Sequence, residues 1–207
     1  MIKNLVTAEK AEIIGLLCAE GSHIKYISDY IEFHKKRRKF YHRIKKSERI
    51  EFTNTNKRLL QHFQNLLKSV YNYSLKIICN KVRISKKVVI QDLLKYTDFG
   101  SEKWKVPKEI LYGNKAVKLS FIRGYFYGDG CYSNTKKGPI IKLCSINKQG
   151  LRQVSNILND IEVQYKFYSY KPLRPRKKVY QIMIRKRETI KRFHRLIINA
   201  GIAKTEL

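Results

Sequence analysis

Apolar residues recur along this chain in two rhythms, one of helical period and one of strict alternation, and the rhythms follow each other in a fixed order. Residues 7–20 (TAEKAEIIGLLCAE) place Ile13, Ile14 and Leu17 at helical spacing after Val6, with Thr7 positioned to cap the first turn and Gly21 to end the helix. Residues 22–54 alternate. Phe40, His42 and Ile44 interleave with Lys39, Tyr41, Arg43 and Lys45, which predicts two long strands around the basic turn HKKRRK. An amphipathic helix follows over 56–70, then a shorter strand pair over 73–79 and 81–85. There Lys81, Arg83 and Ser85 alternate with Val82 and Ile84. A helix over 86–96 leads into a connecting stretch, 97–114, that contains Pro107.

The order then repeats. A helix over 115–129 (KAVKLSFIRGYFYGD) is stopped by Gly130, strands are expected near 131–135 and 139–145, and a helix over 147–160. Strands over 162–170 and 178–185 flank the turn KPLRPRKK, and a last helix covers 186–199. Each half therefore reads helix, strand pair, helix, strand pair, helix. A period near one hundred residues marks a duplicated domain rather than a solenoid.

Composition narrows the class. The chain of 207 residues carries 45 Lys and Arg against 16 Asp and Glu, a formal charge of +29, with an apolar fraction of 43%. Such a chain can build a core, yet its charge calls for a polyanionic partner. A basic tail would be poor in aromatics, but Tyr26, Tyr30, Phe33, Phe40, Tyr41, Phe167, Tyr168 and Tyr170 interleave with the cations. The pattern fits strands with one face on a core and the other on phosphate, a nucleic-acid binder's footprint; a ribosomal-type protein or a solvated surface is the plainer alternative. No apolar run is long enough to span a membrane, and the first residues have no signal-peptide stretch. Cys18, Cys79, Cys131 and Cys144 show no CxxC spacing, so they read as small buried residues of a reduced protein. The expected setting is intracellular: cytoplasmic, nucleoid-associated or organellar.

The repeat is sharpest in two nonapeptides, IIGLLCAEG (13–21) and IRGYFYGDG (122–130), in which Gly15 and Gly124, and likewise Glu20 and Asp129, stand 109 residues apart. Gly15 with Ala19, and Gly124 with Gly128, put small residues at i and i+4 on one helix face. Two helices cleared of bulk in this way can pack backbone to backbone about a pseudo-twofold axis. Each ends in an acid, although a carboxylate at a helix C-terminus meets the negative end of the macrodipole. Two such placements at matching positions suggest a shared cation, and Mg²⁺ suits oxygen ligands and phosphates.

These nonapeptides resemble the two motifs of the LAGLIDADG homing endonucleases, in the single-chain form that carries both. The downstream order of strands and helices extends the resemblance over nearly the whole chain, and KWKVPKEIL (103–111) looks like the connector between the halves. Cys18 and Tyr127 depart from the motif at its first Asp, and Glu20 replaces the second Asp of the first motif. The resemblance implies a mixed α/β (α+β) fold of duplicated αββαββα halves, at 1–100 and 115–207 around a connector at 101–114, whose antiparallel sheets form a DNA-binding saddle.

It further implies that Glu20 and Asp129 bind Mg²⁺, or another divalent cation such as Mn²⁺, with the carbonyls of Ala19 and Gly128 nearby. A polar residue at the end of the second strand of each half, Asn54 and Ser145, would hold the attacking water. Strand parity puts Asn54 in phase with Ile50 and Phe52 on the core side, so a bulge, or Thr53 or Thr55 instead, is the alternative; capping the next helix is another use for Asn54 and Ser145. Lys81 and Arg83 are candidates for stabilising the leaving charge, with Gln181 and Arg185 a poorer match in the second half. His23 is a candidate base or a structural histidine.

Contacts to double-stranded DNA fall to Lys25, Arg37, Arg38, Lys39, Tyr41, Arg43, Lys45, Lys76, Lys81 and Arg83 in the first half. In the second they fall to Lys136, Lys142, Lys166, Arg174, Arg176, Lys178, Gln181 and Arg185. The expected protein is a monomer with internal pseudo-symmetry that cuts an asymmetric or pseudo-palindromic target of about 20 bp. The alternative is an RNA maturase or a non-cleaving DNA-binding protein of the same fold. Both acids are present and no basic extension follows the two halves, so cleavage is the favoured reading.

Overall fold

The computed structural model describes residues 6–135, 138–173 and 177–198. Thr7 caps helix α1 (Ala8–Glu20) by accepting from the Lys10 amide. Strands β1 (Gly21–His34) and β2 (Lys39–Thr53) then form a long hairpin, followed by α2 (Lys57–Tyr71), β3 (Ile77–Ile78), β4 (Lys81–Ile84) and α3 (Lys87–Leu94). A linking stretch holds the short helix α4 (Lys108–Leu111). The second half runs α5 (Lys115–Asp129), β5 (Gly130–Thr135), β6 (Gly138–Ser145), α6 (Lys148–Asp160), β7 (Lys166–Tyr170), β8 (Val179–Ile184) and α7 (Arg187–Phe193). The two four-stranded antiparallel sheets have matching orders, β1-β2-β4-β3 and β5-β6-β8-β7. Among the described residues no helix is long and apolar enough to cross a membrane.

The motif helices form the centre. Ala11 to Cys18 are buried without interruption, as are Phe121, Ile122, Tyr125 and Phe126, so α1 is buried on every side rather than along one stripe. Each sheet then turns one face toward the helices. In the first, Ile50, Phe52, Val82 and Ile84 are fully buried; in the second, Ile141, Leu143, Ile182 and Ile184 are. Trp104, in the link, seals the second core. It packs so closely on Gly150 that a β-carbon there would lie 2.4 Å from the indole, and its carbonyl accepts from Asn147 Nδ2 at 2.6 Å.

Several elements differ from their sequence patterns. Over 162–165 no strand forms. Glu162 adopts φ 57°, and the Val163 amide donates to the Leu158 carbonyl at 2.8 Å, so Ile161 and Val163 fold back onto α6 as a helix cap. The strand expected from 73 begins only at Ile77, because Asn72 turns the chain left-handed and the Leu75 carbonyl is taken by Gln64. The last helix changes to a π-helical turn at His194–Ile198, where Arg123 Nε donates to the Ile197 carbonyl.

The cysteines also correct their expectation. Cys18 is buried and Cys144 half-buried, but Cys79 and Cys131 are exposed, and Cys79 sits with Asn80 at positive φ in the β3–β4 turn. Among the described residues the outer end of the β1–β2 hairpin packs on no core from either face. Its fourteen-residue first strand reaches roughly 46 Å at 3.3 Å per residue. Helix α2 backs only about 22 Å. Ile27, Ile31, Phe40 and Ile44 therefore lie exposed, Phe40 at 73%.

Candidate active site

The two helices that carry the nonapeptides pack parallel with their backbones almost touching. A β-carbon on Gly15 would lie 2.3 Å from the Phe121 carbonyl oxygen, and one on Gly124 would lie 2.2 Å from that of Glu12. Farther along, one on Gly128 would meet the Ala19 β-carbon at 2.3 Å and Glu20 Cγ at 3.2 Å. Contacts advance in step from Glu12 to Ala19 on one helix and from Phe121 to Gly128 on the other. Both C-termini thus emerge together, and Glu20 and Asp129 leave the bundle side by side.

Behind them a buried ion-pair network joins the halves. Glu12, 4% exposed, holds His62 Nε2 at 2.7 Å and Arg123 at 3.1 Å. A lone buried carboxylate would be costly, so the helices are fixed in register as well as in distance. Sequence reading missed Glu12 and Arg123, because only the fold brings positions 111 residues apart together.

Around the acids each half supplies a strand end. Asn54 follows β2, and its side-chain amide donates to Glu20 Oε1 at 3.4 Å. Strand parity places Asn54 on the helix side with Ile50 and Phe52, as Ser145 is with Ile141 and Leu143, and at the strand end that side meets the helix ends and Glu20. Ser145, last in β6, lines a cavity of about 280 Å³ with Ala19, Ser101, Trp104, Asp129, Cys144, Ile146 and Val179. Asn54 and Ser145 play the same local part. Each accepts from the amide two residues on, at Asn56 and Asn147, and those asparagines cap α2 and α6. The capping alternative thus holds for the residues two positions further along, while Asn54 and Ser145 face the acids.

Burial raises the Cys144 thiol, and Asp129 pushes the same way against the Gln181 hydrogen bond. Burial and then Asp129 likewise keep the Cys18 thiol and the Tyr125 hydroxyl protonated. Among the described residues no group of three or more His, Cys, Asp and Glu gathers to hold a metal. A cation at the helix ends would take the two carboxylates and the carbonyls of Ala19 and Gly128. That oxygen set fits Mg²⁺ or Mn²⁺, with water or phosphate completing the shell.

Beyond the acids lies the sheet face turned away from the helices. In the first half it carries Lys39, Tyr41, Arg43, Lys45, Arg49, Glu51, Lys81 and Arg83, by the register of β1, β2 and β4. Glu51 is 2% exposed, with Arg49 Nε, Lys81 Nζ and Arg83 Nε at 2.8, 3.1 and 3.0 Å. Burial pushes its carboxyl up, but the Lys81 hydrogen bond and the three cations outweigh this and hold it below the usual range. In the second half the same face carries Lys142, Lys166 and Gln181. Gln181 is largely buried and reaches Cys144 Sγ, and Arg185 follows β8 with Nε at Met183 Sδ.

Two expected contact residues lie elsewhere. Lys25 is on the helix-side face, paired with Glu48 at 3.3 Å. The Lys178 ammonium sits over Tyr180, which shares the helix-side face. His23 is also on the helix side and bonds Glu48 at 2.9 Å, a structural role. Arg37 and Arg38 occupy the hairpin turn, and Lys76 is exposed before β3. Lys136, Arg174 and Arg176 lie outside the described residues.

Residues 116–197 match the model of a LAGLIDADG-like domain. Over 163 residues the chain is 23% identical to a DNA polymerase of Methanocaldococcus jannaschii; the match covers 78% of this chain and spans only 9% of the polymerase. Among solved structures, variants of the homing endonuclease I-DmoI superpose with a TM-score of 0.64 at 20% identity, covering 94% of this chain and 93% of theirs. I-DmoI in complex with DNA and Mn gives 0.62 at 20% identity, over 95% and 99%. The N-terminal LAGLIDADG domain of DUF199/WhiA gives 0.56 at 14% identity, over 95% and 84%. Residues 116–197 thus carry a LAGLIDADG-like domain, and the chain as a whole has the fold of I-DmoI, with two motif helices and duplicated sheets in one polypeptide.

Proposed function

We propose that this protein is a site-specific, divalent-metal-dependent endonuclease for double-stranded DNA, each half (1–100 and 115–207) laying its helix-free sheet face in the major groove. The observation that carries the reading is the junction of the motif helices. Two acids emerge together at the base of two cationic sheet faces, and Asn54 and Ser145 stand beside them. Glu20 and Asp129, with the carbonyls of Ala19 and Gly128, would hold Mg²⁺ or Mn²⁺. The cation, when bound, supplies an activated water and neutralises phosphate charge. Asn54 and Ser145 orient the attacking water, and Lys81 and Arg83 face the charge that develops on the leaving oxygen.

The likeness to a small part of a much longer polymerase fits an element carried within a host gene, as an intron or intein product. An RNA maturase or a non-cleaving binder would keep the sheets and have no use for both acids. The test is selection of bound duplexes from a randomised pool, followed by incubation of the recovered sequence with Mg²⁺. Cleavage at one position in each strand supports the reading; tight, selective binding without cleavage favours the alternative.

A further inference from the structure

The two halves superimpose in topology but not in charge. The first hairpin pairs Gly21 with Phe52 and the second pairs Gly130 with Leu143, which fixes the correspondence along β2 and β6. By it Glu51 corresponds to Lys142, Arg49 to Ile140 and Asn54 to Ser145. The neighbouring strand extends this. Glu51 pairs with Arg83 and Thr53 with Lys81, while Lys142 pairs with Met183 and Cys144 with Gln181. Where the first half has three cations around one buried acid, the matching positions of the second hold isoleucine, methionine, glutamine and one lysine, and Lys166 and Arg185 beside Met183 have no acid at those positions to gather them.

The arrangement of the first half is lopsided. A neutral salt bridge matches one acid to one base, but here one carboxylate holds three cations, which leaves the group doubly positive. The acid lies inside, its side chain 3% exposed, while Arg49, Lys81 and Arg83 stand outside it at 29%, 35% and 42%. Arg49 is further fixed over the Tyr26 ring at 5.2 Å. Long cationic side chains normally lose rotamer freedom when they grip a ligand; these three have lost much of it already. Two guanidiniums and an ammonium held on one face suit the tetrahedral oxygens of a phosphodiester.

We propose that Glu51 is a positioning residue that sets Arg49, Lys81 and Arg83 as a preformed clamp for the backbone phosphate of one DNA strand, so that the two halves of the site treat the two strands unequally. The inference rests on the DNA reading above but not on cleavage. Glu51→Gln keeps the shape and removes the charge that gathers the cations. With the duplex recovered by selection, labelled separately on each strand, Glu51→Gln slows nicking of one strand by roughly ten- to a hundredfold, the scale of a 1 Å misplacement. The other strand stays within about twofold, Lys81→Met and Arg83→Met slow the same strand, and Glu51→Asp restores part of the rate.

A merely structural role would slow both strands together with a fall in melting temperature. That result, or no change in either strand, overturns the proposal. Phosphate-ethylation interference on the same duplex decides the matter should the parent protein bind without cutting. Loss of interference in one half-site on Glu51→Gln supports the clamp, and an unchanged pattern refutes it. A parent protein that bound no duplex would refute the DNA reading, and the clamp with it.

Discussion

Gly15 of α1 sits against the Phe121 carbonyl of α5 with no space for a β-carbon, which would come within 2.3 Å of the oxygen. The contact is backbone on both sides, so no side-chain rotation can relieve it. Gly15→Ala is therefore expected to force the helices apart. Overpacking of this kind costs about 1–3 kcal/mol. The protein should melt at lower temperature and lose cleavage as Glu20 and Asp129 separate. Thermal denaturation and a nicking assay test this, with Tyr112→Leu at an exposed position as the control. A Gly15→Ala protein that melts and cuts like its parent refutes the close packing.

Glu20→Gln and Asp129→Asn should each abolish cleavage while leaving DNA affinity within a few-fold, because shape is kept and only charge is lost. Electrophoretic mobility shifts in Ca²⁺ read the affinity, and Mg²⁺ or Mn²⁺ reactions read the cleavage. Parallel loss of both activities would mean that the acids hold the fold.

Binding should depend steeply on salt. With about ten phosphates neutralised, log K falls against log[salt] with a slope near −9. A slope shallower than about −3 is incompatible with both sheets lying on DNA.

Stability should fall on the acid side in part through Asp92. Burial raises its pKa, but hydrogen bonds from Lys10 at 2.7 Å and Tyr71 at 2.8 Å outweigh burial and hold it below the ordinary value. A carboxyl lowered by folding stabilises the protein above its unfolded pKa, about 3.9 for Asp. That contribution is lost as pH falls below this value and through the folded one. Asp92→Asn should lower the melting temperature at pH 7 and flatten the decline between roughly pH 5 and 2. An equal decline in both proteins would place the acid sensitivity elsewhere.

The motif glycines and acids were legible because helical periodicity places them without knowledge of any partner strand. The Glu51 cluster was not, since Arg49 and Glu51 are near in sequence but Lys81 and Arg83 join them only through the β2–β4 register. Parity placed Asn54 on the helix side correctly, but it could not tell that this side meets Glu20 rather than apolar core at the strand end. Ile161 and Val163 resembled a strand because a helix cap also alternates apolar residues. The alternating Phe40 and Ile44 implied a core that the helices are too short to provide, and Ile27 and Ile31 lie exposed on the same face.

The Glu12–Arg123 pair bears on how such proteins can be rebuilt. A chimera that joins the first half to a foreign second half would close its seam over a carboxylate needing a cation from the other side. Matching the two glycines would let the helices meet, yet an incoming half without arginine at position 123 would leave Glu12 with only His62. Compatibility between recombined halves is thus a question of charge as much as of fit. The cheapest repair is to transplant the arginine with its helix, or to replace Glu12 by glutamine.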